Sequence, residues 1–276
     1  MTFEPEQLGQ SRTDLAEKLR ALRKRAGLTG DRLARRCNMS QSQISKFETG
    51  KKTPKLVDVE RILRALDASP EAISEVTALA RIANTEWQDK RSSWRSGMER
   101  RQSELASLEA EATELRYFLP SMITGLLATP EFIRASLGHT PGDPFKTVTR
   151  KLDRQAVLYD TSKSFTFLLT EQAARWAIVP ALAMAMQIDR LASLSRLPNV
   201  HIGVIPTGTV APRGPMNTFT IYDDRLATVE NFTGRMVFRD VRDISEYRAV
   251  FSLFEECAQF DQDARVLLQE WAEAYR

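Results

Sequence analysis

The sequence predicts an all-α N-terminal domain of five helices, joined by a helical connector to an α+β C-terminal domain whose sheet is mostly antiparallel. Three observations predict it. Up to about Lys90, apolar residues recur at helical spacing between capping residues. Residues 88–114 are polar and charged, with Leu105, Leu108 and Ala112 at helical spacing. Beyond them short β-type runs mix with helical patterns, without the strict strand–helix alternation of a doubly wound parallel sheet. The resulting boundaries are a disordered lead over 1–11, the first domain over 12–68, the connector over 69–114 and the α+β domain over 115–276.

Each element follows from local chemistry. Ser11 or Thr13 caps a first helix to about Ala26, with Leu15, Leu19 and Leu22 on one face. Gly27 ends it. Thr29 caps a second helix over 30–37, Asn38 sits in a turn, and Ser40 caps a third over 41–48 that stops at Gly50. Thr53-Pro54 opens a fourth to about Leu66, with Val59, Ile62, Leu63 and Leu66 as its stripe. Proline suits a first helical position because its missing N–H would be unpaired there anyway. Ser69-Pro70 opens a fifth toward Lys90, and the connector breaks near Gly97. A dimer contact is expected from the fifth helix, from the connector over 98–115 or from the C-terminal domain, and Leu105 and Leu108 serve either as that contact or as intrachain core.

Strands are expected at Arg116–Leu119, Ser164–Leu169, Val200–Ile205, Asn217–Tyr222, Leu226–Phe232 and Arg235–Arg239. Asp223-Asp224 and Thr233-Gly234 are turn signals that make the last three an antiparallel meander. Helical patterns cover 130–137, 144–160, 171–196, 243–259 and 262–275, with Thr129-Pro130, Asp143-Pro144 and Asp261 as caps.

Composition narrows the function. Of 276 residues, 42% are hydrophobic, enough for a real core. Apolar runs such as Ala177 to Met186 are too short to span a bilayer, and the first ten residues lack the basic and apolar regions of a secretory signal. Cys37 and Cys257 lie far apart without CxxC spacing, which fits a reducing cytoplasm rather than a disulfide framework or zinc site. The net charge of +3 divides unevenly. Arg12 to Arg64 holds 15 Lys/Arg against 6 Asp/Glu, residues 1–11 carry −2, and 65–276 therefore carry −4. A basic head on a mildly acidic body points to a polyanion as partner of the head alone.

The segment from Gly27 to Lys51, GLTGDRLARRCNMSQSQISKFETGK, carries the function. Leu33, Ala34 and Cys37 face inward from the second helix, and Ile44 and Phe47 anchor the third. Asn38 tolerates the left-handed backbone of a tight turn. Gln41, Ser42, Ser45 and Lys46 are left exposed at the start of the third helix, hydrogen-bonding side chains without a core role. A short helix presenting such an end fits the major groove of double-stranded DNA. Gln41, Ser42 and Lys46, with Ser45 at the margin, are the candidate base contacts. Gln43, Thr49, Lys51, Lys52 and Lys55 are the candidate phosphate contacts, which set register and affinity.

Leu33-Ala34, Ser40, Ile44-Ser45 and Glu48-x-Gly50, within five helices of this length, resemble the phage-repressor (Cro/C1, xenobiotic-response-element) class of helix-turn-helix regulators. The resemblance implies a near-palindromic DNA site bound by a homodimer, with half-sites about one helical turn apart. Two positions depart from the pattern. Asn38 stands in place of its turn glycine. Gly30 stands where the class has a glutamine that touches a phosphate and braces the first residue of the recognition helix, here Gln41.

The second half resembles the C-terminal domain of WhiJ-like actinobacterial two-part regulators, through LRYFLPSMITGLLATPEFIRASL (115–137), RKLDRQAVLY (150–159), LASLSRLPNVHIGVIPTG (191–208) and ATVENFTGRMVFRD (227–240). That resemblance implies a transcription regulator paired with a small companion protein in a toxin–antitoxin-like arrangement. The residues themselves show no GxSxG, glycine-rich phosphate loop or HExxH, and neither His139 nor His201 sits at metal-ligand spacing. The expectation is therefore a protein that is not an enzyme and needs no cofactor or metal. Glu171, Arg175, Arg213 and Glu230 are the candidates for lining a polar site for a small-molecule effector or partner. The loop from Thr207 to Pro215 is a candidate lid or partner surface.

Overall fold

The computed structural model describes residues 7–89, 98–138, 144–232 and 234–276. Residues 1–6 of the expected lead, the break at Gly97, the loop with His139, the cap Asp143 and the turn residue Thr233 lie outside these. The chain divides into two compact units, Met1–Trp87 with Met236–Asp240, and Gln88–Arg235 with Val241–Arg276.

The first unit holds α1 (Gln7–Arg25), α2 (Gly30–Arg36), α3 (Gln41–Glu48), α4 (Leu56–Ala65) and α5 (Pro70–Asn84). One apolar core joins them: Leu15 and Leu19 of α1, Leu33 and Ala34 of α2, Ile44 and Phe47 of α3, Val59, Ile62 and Leu63 of α4, and Val76, Ala80 and Ala83 of α5. The core thus extends past residue 68 into α5. The expected caps Thr29, Ser40 and Ser69 each accept from the backbone N–H three residues on, of Arg32, Gln43 and Ala72. Gly27 ends α1 at φ +65°, and Asn38 makes the α2–α3 turn at φ +53°.

Three boundaries differ from expectation. α1 starts at Gln7, so Ser11 and Thr13 lie inside it rather than capping it. α4 starts at Leu56, and Thr53-Pro54 precedes it. Pro54 is buried, and its carbonyl accepts from Asn84 Nδ2 at 3.0 Å. α5 stops at Asn84 and continues as an extended strand, β1 (Thr85–Asp89). The Asn84 amide there turns back to the Ala80 carbonyl at 2.8 Å, and β-branched Thr85 follows.

The second unit is α+β, as expected. Its strands are β2 (Glu114–Leu119), β3 (Ser164–Thr170), β4 (Val200–Ile205), β5 (Thr218–Tyr222), β6 (Leu226–Glu230) and β7 (Gly234–Phe238), which follow one another in the order β7-β6-β5-β2-β3-β4. The sheet is mixed. β5 pairs antiparallel with β2 and β6, while β2, β3 and β4 run parallel. The turn between β5 and β6 has Asp223 at φ +49°. Parallel pairs need long crossovers. These contain α7 (Pro130–Leu137), α8 (Pro144–Arg154) and a 3₁₀ turn (Gln155–Tyr159) between β2 and β3, then α9 (Glu171–Arg175) and α10 (Ala181–Leu194) between β3 and β4. α6 (Met98–Glu111) precedes β2; α11 (Val241–Glu255) and α12 (Asp261–Glu273) follow β7.

The single helix expected over 171–196 is two, because Pro180 brings no N–H and its ring pushes the preceding residue out of the helical region. The helix expected over 144–160 tightens after Arg154 into the 3₁₀ turn, where the Gln155 amide donates to the carbonyls of Gly125 and Ala128, both at 2.8 Å.

Both sheet faces are covered. On one, Phe118 stacks on Phe254 of α11 at 4.3 Å between ring centroids and meets Phe219 at 5.2 Å. On the other, Tyr117 stacks on Phe167 at 4.7 Å. The Tyr117 hydroxyl donates to Glu109 at 3.4 Å, and Glu109 forms a buried two-pronged ion pair with Arg154. Burial first, and the Glu109 charge second, push the Tyr117 hydroxyl well above its usual pKa. Lys163 is buried, and its Nζ donates to the carbonyls of Ala110 and Ala112, both at 2.6 Å, closing the end of α6.

Candidate nucleic-acid interface

The candidate interface is built on α3. Ile44 and Phe47 are each 1% exposed and fix the helix to the core. The opposite side is left to Gln41, Ser42, Ser45 and Lys46, all exposed. They form two (i, i+4) pairs, 41 with 45 and 42 with 46, so one strip of α3 carries all four. The amides of the first turn point out of the N-terminus, and the Ser40 hydroxyl accepts only one of them, from Gln43 at 3.1 Å.

Gly30 and Gln41 come together across the α2–α3 corner. A Cβ built on Gly30 would stand 3.8 Å from Gln41 Nε2. The side chain missing from Gly30 therefore leaves an open flank beside the first residue of the strip.

The phosphate candidates are placed less uniformly. Lys51, Lys52 and Lys55 are exposed in the segment between α3 and α4, which Gly50 turns at φ +68°. Lys52 Nζ also lies 6.0 Å from the centre of the Phe47 ring. The Thr49 hydroxyl donates to the Ser45 carbonyl at 2.7 Å, so its proton is already engaged. Gln43 is half-buried beside the cap.

Sequence reasoning missed the pair that sets the helix. Arg23, on the last turn of α1, grips Glu48 at the end of α3 with two bonds of 2.6 and 2.7 Å. Its third prong donates to the Leu28 carbonyl at 2.8 Å. Both side chains are largely sheltered, 15% and 10% exposed. The bond to Glu48, strengthened by its charge, raises the Arg23 pKa further despite partial burial. One guanidinium thus ties the end of the exposed helix to the helix and turn before it. Glu48 belongs to the motif, but twenty-five positions separate it from Arg23 and no local signal joins them.

Residues 102–270, more than half of the chain, match the family model described as a domain of unknown function (DUF5753). The chain belongs to the DUF5753 family. Residues 14–76 match the model of a helix-turn-helix domain, which spans most of α1, all of α2, α3 and α4, and the beginning of α5. No curated protein matches the chain. Two solved structures are similar at low level. NucT from Helicobacter pylori is 10% identical, covers 63% of this chain and 96% of its own, and has a TM-score of 0.36. TrmBL2, an archaeal chromatin protein with its own mode of DNA binding, is 13% identical, covers 73% of this chain and 64% of its own, and has a TM-score of 0.33. Neither likeness is close enough to carry an argument.

In the DUF5753 half the topology brings all four remaining candidates to one end of the sheet, where β3, β4 and β6 end and β5 begins. It does not assemble them into one site. Glu171 Oε1 binds Arg175 within α9 at 2.5 Å, and its Oε2 accepts from Thr207 N at 2.9 Å. Burial pushes the Glu171 carboxyl up, but the Thr207 N–H and Arg175 outweigh it and hold the group below the usual carboxylate value. Glu230 ends β6, three strand spacings or about 14 Å from β3. Arg213 is exposed in the β4–β5 loop. Glu171 and Arg175 therefore anchor that loop to the sheet. Among the described residues, no group of three or more His, Cys, Asp or Glu could hold a metal, and no helix is long and apolar enough to cross a membrane.

Proposed function

We propose that this protein is a sequence-specific transcription regulator of the phage-repressor type, which binds a near-palindromic operator as a dimer and works in the cytoplasm. One observation carries the reading: α3 is propped on a buried apolar face while Gln41, Ser42, Ser45 and Lys46 stand exposed on a single strip at its beginning. Glutamine pairs with both edge atoms of adenine and lysine donates to guanine, each contact discriminating by about 1–3 kcal/mol. Lys51, Lys52 and Lys55 supply charge for the flanking phosphates.

In this reading the DUF5753 half is a binding module and not an enzyme. Its ionisable side chains hold the fold, as Glu109 with Arg154 and Glu171 with Arg175 do. A companion protein, as in the WhiJ-like arrangement, is favoured over a small ligand by three protruding apolar side chains. Val210, Met216 and Phe232 are 93%, 85% and 95% exposed, in the loops at the end of the sheet that also carries Arg213.

Selection of bound duplexes from a random DNA pool with the full chain tests the regulator reading. The expected result is one enriched site with two-fold symmetry. A chain that enriches no sequence over the starting pool overturns it.

A further inference from the structure

The helix-turn-helix unit has a second exposed feature, away from the strip on α3. Between the end of α4 and the start of α5 lies a groove of about 470 Å³, lined by Glu60, Leu63, Arg64, Asp67, Ala68 and Ile73. Val57 stands on the same side of α4, one turn before Glu60 and Arg61, and is 43% exposed; Ile73 is 42% exposed. Among the described residues of this unit, these two are the exposed large apolar side chains. The other apolar residues of α4, Leu56, Val59, Ile62 and Leu63, are all buried.

Charges of both signs edge the groove. Glu60 and Arg64 stand at (i, i+4), and Asp67, at φ +49°, follows three residues after Arg64. A row with an acid close to a base is self-complementary under a two-fold axis, the symmetry in which one surface patch meets itself. An axis between Arg64 and Asp67 would set each Arg64 opposite Asp67 of the other copy.

We propose that this groove is the face through which two copies of the chain pair. A second copy is the occupant because the charges complement the same surface turned through 180°. The inference rests on the reading of the protein as a dimeric regulator and assigns that dimer its contact.

Sedimentation velocity of the full chain over a concentration series tests it. The wild type is expected to show a reversible monomer–dimer equilibrium. Ile73→Glu, and independently Val57→Glu, should weaken the dimer by about tenfold or more, since a two-fold interface takes every substitution twice. Arg64→Asp and Asp67→Arg should each weaken it, and the Arg64→Asp/Asp67→Arg double variant should regain most of the loss. Val57, Arg64 and Ile73 are exposed on helices, so circular dichroism and melting of their variants should stay near wild type and separate dissociation from misfolding, while Asp67→Arg, at φ +49°, is read against its own melting curve. A wild type that stays monomeric, a dimer insensitive to Ile73→Glu and Val57→Glu, or a double variant no better than the single ones overturns the proposal. A dimer that responds as expected in a chain that selects no DNA sequence leaves this face standing and removes the regulator reading. An insensitive dimer that still selects a symmetric site does the reverse.

Discussion

At the scale of single residues, the exposed strip of α3 and the ion pair behind it make separable contributions. Lys46 is exposed on α3, so its replacement touches recognition and leaves folding alone. Lys46→Ala is expected to weaken operator binding by about 1–3 kcal/mol and to relax preference at one base position, read by repeating the duplex selection. Equal weakening for every sequence would make Lys46 a phosphate contact instead. Glu48 acts from behind. Glu48→Gln leaves the Arg23 guanidinium sheltered and short of its charged partner, and should destabilise the unit by about 1–3 kcal/mol. In a domain of this size that lowers Tm by roughly 4–8 °C per kcal/mol. An unchanged Tm would mean that packing alone holds α3.

Among the elements, close approaches and caps decide the details. Gly203, in the middle of β4, sits where a Cβ would lie 2.5 Å from Phe260 Cζ and 2.8 Å from Leu168 Cδ2. Gly203→Ala must displace a packed ring and is expected to cost about 1–3 kcal/mol in urea denaturation. A neutral result would show that Phe260 yields freely. Asp223, in the β5–β6 turn, accepts from the N–H groups of Thr113 and Glu114, both at 2.9 Å, and so pins the start of β2. Burial alone would raise its carboxyl, but these donors outweigh it and hold the group below the usual value. The stability this supplies is full above about pH 4, the ordinary carboxylate value, and is lost as pH falls through the lower folded value. Asp223→Asn should therefore flatten the acid limb of stability against pH; an unaltered limb would assign acid sensitivity to other groups.

At the level of the whole molecule, charge separates the two halves. The basic excess lies between Arg12 and Arg64, and the remainder after it is acidic. Polyanion binding should accordingly follow salt, with log K falling against log salt by about 0.9 for each phosphate neutralised. Lys51, Lys52 and Lys55 together give a slope of about −2.7 per protomer, and Lys51→Ala should reduce it by about 0.9. A slope near zero for the wild type would remove the phosphate roles. The DUF5753 half presents the protruding Val210, Met216 and Phe232.

Local chemistry determined the five helices, their caps at Thr29, Ser40 and Ser69, the left-handed turn at Asn38, the inward Ile44 and Phe47, and six strands of the sheet close to their observed limits. Each of these depends on interactions spanning a few residues, which periodicity and capping chemistry record directly. The end of α5 and the break at Pro180 also had local causes, in the amide of Asn84 and in the proline ring, but the apolar pattern ran across both and masked them. Tertiary packing alone decided what distant segments do to one another: Arg23 closing on Glu48, Phe260 filling the space Gly203 leaves, and a parallel limb joined to the antiparallel strands. Such pairs arise when hydrophobic burial brings separate elements together, and nothing within the reach of either partner along the chain specifies the other.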